Sequence, residues 1–132
     1  MLPEVIAEFI CKHYSGKVVE VGIGYYWKVA EILADRGFEV IAIDSKGISA
    51  EFKSKQIRFV IDDIMNPNLE IYEGASLVYS IRPPLELYGY IVAVARAVGA
   101  DCLIRPFGNE FAVDGKLINY KGERFYAWFN RR

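Results

Sequence analysis

The sequence predicts a doubly wound α/β domain built on a mostly parallel sheet. Short β-branched runs such as KVVEV, FEVIAID and ASLVYSI alternate with segments of helical periodicity. Within those runs apolar residues are nearly continuous rather than alternating, as in strands covered on both faces. Only the end of the chain departs from this, with two alternating segments around a Lys-Gly-Glu turn.

In order along the chain, Leu2, Val5, Ile6, Phe9 and Ile10 recur at helical spacing, and Gly16 supplies a stop. KVVEV (17–21) is the first strand and GIGYY (22–26) a turn. A helix then runs from Trp27, with Val29, Ala30, Ile32 and Leu33 on one side, to Gly37. FEVIAID (38–44) is the second strand. Residues Ile48 to Lys55 predict a brief helix, IRFVI (57–61) a third strand, and NPNLEIYEGA no more than a turn or two of helix. ASLVYSI (75–81) is the fourth strand. Pro84 suits the first turn of a helix reaching about Val98, because its missing N–H costs nothing there. DCLIRPF (101–107) is the fifth strand, and KLINYKGERFYAWF (116–129) predicts a terminal hairpin forming an antiparallel edge. Right-handed crossovers join the parallel strands.

The 132 residues make a single domain, 1–132, large enough to bury a core without staples. With 53% hydrophobic and 25% charged residues the chain is globular, and its net charge of −1 names no electrostatic partner. The end is more basic: Lys116, Lys121, Arg124, Arg131 and Arg132 face one acid, Glu123. Such an end is read either as a nucleic-acid contact or as a solvated rim. Cys11 and Cys102 lack metal-ligand spacing and lie in apolar segments, so reduced, buried thiols are expected and no metal site. No apolar run is long enough to span a membrane, so a cytoplasmic location is expected.

The chemistry concentrates at strand ends. In open parallel sheets ligands bind beyond the carboxyl ends of strands where the winding reverses, and GIG lies at such an end. A dinucleotide turn, G-x-G-x-x-G, needs glycine where Trp27 stands, and no Gly-Lys-Ser/Thr of a P-loop follows. Glu20 precedes the turn and points toward its mouth, Asp44 ends the second strand, and Asp62 and Asp63 end the third. Carboxylates converging there would repel a pyrophosphate and attract a cationic, phosphate-free nucleoside. S-adenosylmethionine, with its sulfonium and ammonium, has that character.

The series VVEVGIGYY, VIAID, FVIDDI and LVYSIRPP resembles the motifs of class I S-adenosylmethionine-dependent methyltransferases, a Rossmann-like fold, over about Lys17 to Phe129. Size and the YSIRPP segment are similar to those of a small uncharacterised archaeal protein family with that fold. The resemblance implies that Glu20, Gly22 and Gly24, with Tyr25 beside them, line the methionine end of the cofactor. It places Asp44 on the ribose hydroxyls, Asp63 and the backbone of Ile64 at the adenine edge, and Ser80 beside the sulfonium.

Three departures from that pattern bear on function. The third glycine of the usual turn is Tyr26, and the Asp/Asn-Pro-Pro-aromatic segment that orients an amino substrate is Arg82-Pro83-Pro84-Leu85. Arginine cannot accept a hydrogen bond from an amine. The link from the fifth strand to the hairpin is also too short for the customary helix. Two functions therefore stand open. One is a methyltransferase acting on a small molecule, RNA or protein, with Asp62, Ser80 beside Tyr79, or Arg82 as catalytic candidates. The other is a non-catalytic module that binds a nucleoside, a protein or RNA.

Each feature also has a plainer reading. Asp62 and Asp63 can cap the turn that follows them, and Arg82 can pair with Glu86. Tyr25, Tyr26 and Trp27 can pack rather than cover a base, and His13 is a surface residue. If strand alternation holds, Phe125 and Tyr126 face opposite sides, so some hairpin aromatics are left for a homodimer or a partner protein that completes the substrate side.

Overall fold

The computed structural model describes residues 1–47, 56–112 and 114–131. The helix expected over Ile48 to Lys55 lies outside the described residues. Among those described, the elements run α1 (Pro3–His13), β1 (Lys17–Val21), α2 (Lys28–Asp35), β2 (Glu39–Asp44), β3 (Ile57–Ile61), β4 (Leu77–Ile81), α3 (Tyr88–Val98), β5 (Asp101–Arg105), β6 (Lys116–Tyr120) and β7 (Glu123–Trp128). Short 3-10 turns at Leu69–Ile71 and Leu85–Leu87 precede β4 and α3. Pro84 therefore leads into a 3-10 turn, and the α-helix starts one turn later than its sequence pattern implies.

The sheet order is β3-β2-β1-β4-β5-β7-β6. Strands β3 to β5 pair in parallel, and the winding reverses between β1 and β4. The hairpin forms an antiparallel edge, as expected from its sequence. Strand β7 inserts between β5 and β6 and runs against both, so β6, the edge strand, points the same way as β5. A two-residue turn makes the reversal tight: Lys121 and Gly122 both have positive φ, at 48° and 85°, matching the twist of the paired strands.

Two apolar layers sandwich the sheet. Helices α1 and α2 cover the face that carries Val18, Ala42, Leu77, Leu103 and Phe125. Helix α3 covers the face that carries Val19, Ile41, Val78, Ile104 and Tyr126. Neighbours in sequence alternate between the layers, which explains the continuous apolar runs. Phe125 and Tyr126 fall on opposite faces as expected, and Phe129 remains 57% exposed. Both cysteines are free thiols, Cys102 buried and Cys11 half-buried.

Two buried acids tie the ends of the chain to the sheet. Glu123 accepts the Leu2 backbone N–H at 3.1 Å and pairs with Arg105 at 3.3 Å. Asp101, 7% exposed, accepts the Tyr14 hydroxyl at 2.7 Å and the backbone N–H groups of Asn130 and Arg131 at 2.8 and 2.9 Å. Replacing Asp101 with alanine leaves these donors without their acceptor. We expect Asp101→Ala to lower stability in urea unfolding by about 2–4 kcal/mol and Tyr14→Phe by about 1 kcal/mol; equal, small losses from both would contradict the clasp.

Candidate functional site

At the end of β1 the chain must turn into α2 while keeping its backbone paired. Gly22 and Gly24 do this with positive φ of 72° and 54°, a conformation that side-chain-bearing residues rarely adopt. Ile23 between them drops into the core, and the Gly22 and Ile23 N–H groups both donate to the Ile43 carbonyl, at 2.8 and 3.0 Å. A Cβ at Gly22 would meet nothing within 4 Å, so that glycine borders open space.

Beside this turn lies a crevice of about 270 Å³ at the reversal of winding. Val21 and Gly22 come from the end of β1 and the turn after it, Ile43, Asp44 and Ser45 from the end of β2 and just beyond, Asp62 to Met65 from the segment after β3, and Pro84 and Leu87 from the segment after β4. Among the described residues, every charged one that lines it is acidic. Larger hollows lie against α3 (about 330 Å³), between α1 and β6 (about 370 Å³) and beside the start of β2 and β3 (about 290 Å³), but none of these is at the carboxyl ends of the parallel strands.

The carboxylates of the crevice are held by backbone donors. Asp44 accepts the Gly24 N–H on Oδ2 at 2.8 Å and the Lys46 N–H on Oδ1 at 3.1 Å, which links the end of β2 to the glycine turn. Asp62 takes the Asn68 N–H and Asp63 takes the Met65 N–H at 2.9 Å, so both do cap the following turn. Capping uses only part of each carboxylate's acceptor capacity. Buried Tyr72, which nothing in the sequence singled out, sits near Asp62, and burial together with that charge pushes its hydroxyl up.

Several expected site residues stand elsewhere. Glu20 does not face the mouth of the turn. It is 1% exposed, on the α1/α2 side of the sheet, where strand alternation sends its side chain into the core beside its β4 neighbour Tyr79. Burial raises the Glu20 carboxyl to about 8, and the Tyr79 hydroxyl partly offsets this; Glu20 Oε1 completes no hydrogen bond. Ser80 is also sealed, its hydroxyl donating to the Val21 carbonyl at 2.7 Å, and so is not presented to the crevice. Tyr79 is fully buried and its hydroxyl is raised well above the usual value, chiefly by burial, which removes it as a base.

Tyr25 swings outward, 83% exposed and away from the crevice lining, while Tyr26 and Trp27 pack against the α1/α2 core. The bulky side chains therefore do not plug the hollow. Arg82 has a left-handed backbone, φ 54°, unusual for a residue with a side chain, and is held by its N–H to the Arg105 carbonyl at 2.7 Å. Its guanidinium lies over the Tyr26 ring, 5.3 Å from the centroid. The lining residues Ser45, Met65, Pro84 and Leu87 went unnoticed in the sequence because no charge or motif marks them.

Comparison with known proteins fits this geometry. The model of an uncharacterised protein family, UPF0146, matches residues 2–130. A UPF0146 protein of Archaeoglobus fulgidus is 53% identical over 92% of this chain and 90% of its own length. One from Methanocaldococcus jannaschii is 39% identical over 96% and 93%. Among solved structures, a TehB-like SAM-dependent methyltransferase from Corynebacterium glutamicum superposes with a TM-score of 0.67 at 16% identity, covering 100% of this chain and 89% of that one. The glycopeptide N-methyltransferase MtfA, complexed with S-adenosyl-L-methionine, gives 0.58 at 17% identity, covering 95% and 66%. At these identities the likeness shows the fold: a class I methyltransferase-like α/β sheet.

The Glu20 site makes stability depend on pH with a definite sign. Its folded-state carboxyl binds a proton more tightly than the unfolded one, so the contribution is full below about pH 4.5 and is lost as pH rises toward about 8. Over that window the wild type is expected to lose on the order of a few kcal/mol, since each pH unit is worth about 1.4 kcal/mol. Glu20→Gln keeps the shape without the titration, so its urea-unfolding free energy should fall much less between pH 5 and pH 8. Parallel profiles would show that Glu20 is charged in the folded state.

Proposed function

The chain belongs to the UPF0146 family, and from its crevice we propose that it binds S-adenosylmethionine and transfers the methyl group to a small molecule, RNA or protein. The observation that carries this reading is a glycine-bordered crevice at the reversal of winding whose charged lining, among the described residues, is Asp44, Asp62 and Asp63. Such a lining favours a cationic nucleoside over a phosphate ester. The donor set fits: Asp44 accepts one N–H on each oxygen and keeps a lone pair on each for ribose hydroxyls. Asp63 and Ile64 line the same crevice and would meet the adenine edge in this reading, and Gly22 leaves room beside the turn.

When bound, the cofactor supplies an electrophilic methyl group. The protein's part is then chiefly to position donor and acceptor. Asp62, accessible at the crevice, is the group able to take a proton from an acceptor. Arg82, fixed over Tyr26 and two residues from the lining Pro84, gives the acceptor end a cation, which suits an acceptor carrying a carboxylate or phosphate. A second copy or a partner protein would complete the acceptor side.

Two observations favour a second reading, a non-catalytic module on the same fold. The described residues between β5 and β6 contain no helix, and Arg82 stands where an amine-orienting acceptor would be needed.

Calorimetric titration tests the first link. S-adenosylmethionine and its demethylated product are expected to bind in the micromolar range, and Asp44→Asn to weaken both about tenfold, or about 1.4 kcal/mol. If neither ligand binds nor raises the melting temperature at millimolar concentration, the cofactor reading is wrong. Binding without label transfer to a pool of small molecules, RNA and protein would favour the module.

A further inference from the structure

At the opposite pole of the sheet, between the C-terminal end of α1 and the edge strand β6, lies a groove of about 370 Å³. Phe9 and His13 form one wall, Ile118 lies on β6, and Phe129 and Arg131 close the far side. Strand alternation puts Lys116, Ile118 and Tyr120 on the face of β6 that looks toward α1. Phe129 is 57% exposed, although Phe125, Tyr126 and Trp128 of the preceding strand β7 are buried.

Cations lie over rings in the groove and beside it. Lys116 Nζ stands 5.9 Å from the Phe129 ring, Lys12 Nζ 5.9 Å and Lys121 Nζ 5.6 Å from the Tyr120 ring, and the Arg131 guanidinium 5.6 Å from Tyr14. The acids nearby are already engaged. Glu8 accepts from Lys121 at 2.6 Å and from Tyr120 at 3.2 Å. Asp101 is held by Tyr14 and two backbone N–H groups. Asp101 lines the groove and its donors are neutral, while Glu8 pairs with Lys121; Lys12, Lys116 and Arg131 therefore outnumber the one acid without a cationic partner and give the groove a positive rim.

We propose that this groove binds single-stranded nucleic acid, one base stacking on Phe129 and the flanking phosphates meeting Lys12, Lys116 and Arg131. An exposed ring suits any base, and cations spread along α1 and β6 suit a backbone that runs on past the groove. A strand suits the groove better than a free nucleotide because its cations come from separate places, Lys12 over Tyr120 and Lys116 over Phe129, and successive phosphates would meet them in turn. The basic terminal segment, legible in the sequence, acquires its complement only when α1 folds against it.

The inference does not depend on the cofactor reading, since the groove shares no residue with the crevice. The test is fluorescence anisotropy with a labelled oligouridine of about twelve nucleotides at about 50 mM salt, where phosphate contacts are least screened. Micromolar binding is expected, with log affinity falling against log salt at a slope near −2 for three phosphate contacts on a single strand. Lys116→Glu and Phe129→Ala should each weaken binding about tenfold or more. Both sites are exposed, and an unchanged melting temperature would confirm the fold. Asp44→Asn should bind the strand as wild type does. No binding at low salt, an unchanged affinity in Phe129→Ala, equal binding of duplex RNA, or full competition by uridine monophosphate at equimolar concentration would each overturn the proposal.

Discussion

Between β1 and β4 the chain reverses the side from which it winds the sheet, and the rest of the molecule is arranged around that reversal. Helix α2 leaves β1 in one direction and α3 leaves β4 toward the other face, so among the described residues no element closes over the strand ends between them. The backbone at this point has little freedom. Gly22 and Gly24 take positive φ, Ile23 is drawn into the core, and two N–H groups share the Ile43 carbonyl. Asp44 then fastens the turn from the neighbouring strand through the Gly24 N–H. Fold and crevice therefore have one origin: the contacts that let β1 turn into α2 also leave the hollow open.

The electrostatics follow from the same arrangement. Asp44, Asp62 and Asp63 lie at strand ends, where water and backbone N–H groups solvate them. Glu20, two residues earlier on β1, is inside the sheet and exchanges its charge for a proton over much of the pH range. Four acids that look alike in the sequence thus separate into three charged groups lining a crevice and one neutral group in the core. Arg82 does not line the crevice; its left-handed backbone is fixed by the Arg105 carbonyl and its guanidinium lies over Tyr26.

The two ends of the sheet carry opposite chemistry. The carboxyl ends of the parallel strands hold the acidic crevice. At the other end, the close of β7 and the start of β6 meet the basic end of α1 around a ring-lined groove. The insertion of β7 between β5 and β6 matters here. It brings the last residues of the chain beside Tyr14 and Asp101, so Arg131 joins Lys12 although the two are far apart in sequence.

Much of this was legible in the residues themselves. The doubly wound order follows from continuous apolar runs alternating with helical segments, because burial on both faces removes the polar alternation of a half-exposed strand. The glycine turn and the acids at strand ends were equally plain, since positive φ and charge are properties of single residues. The sequence could not show which way a side chain turns at a strand end, because that depends on the neighbouring strands. Glu20 and Ser80 went inward beside Tyr79 and Val21, and Tyr25 went outward. Met65, Pro84 and Leu87 entered the crevice without any motif to announce them. The placement of β7 was likewise a tertiary decision: a hairpin pattern fixes which two strands pair, and only packing against β5 decides which of them becomes the edge.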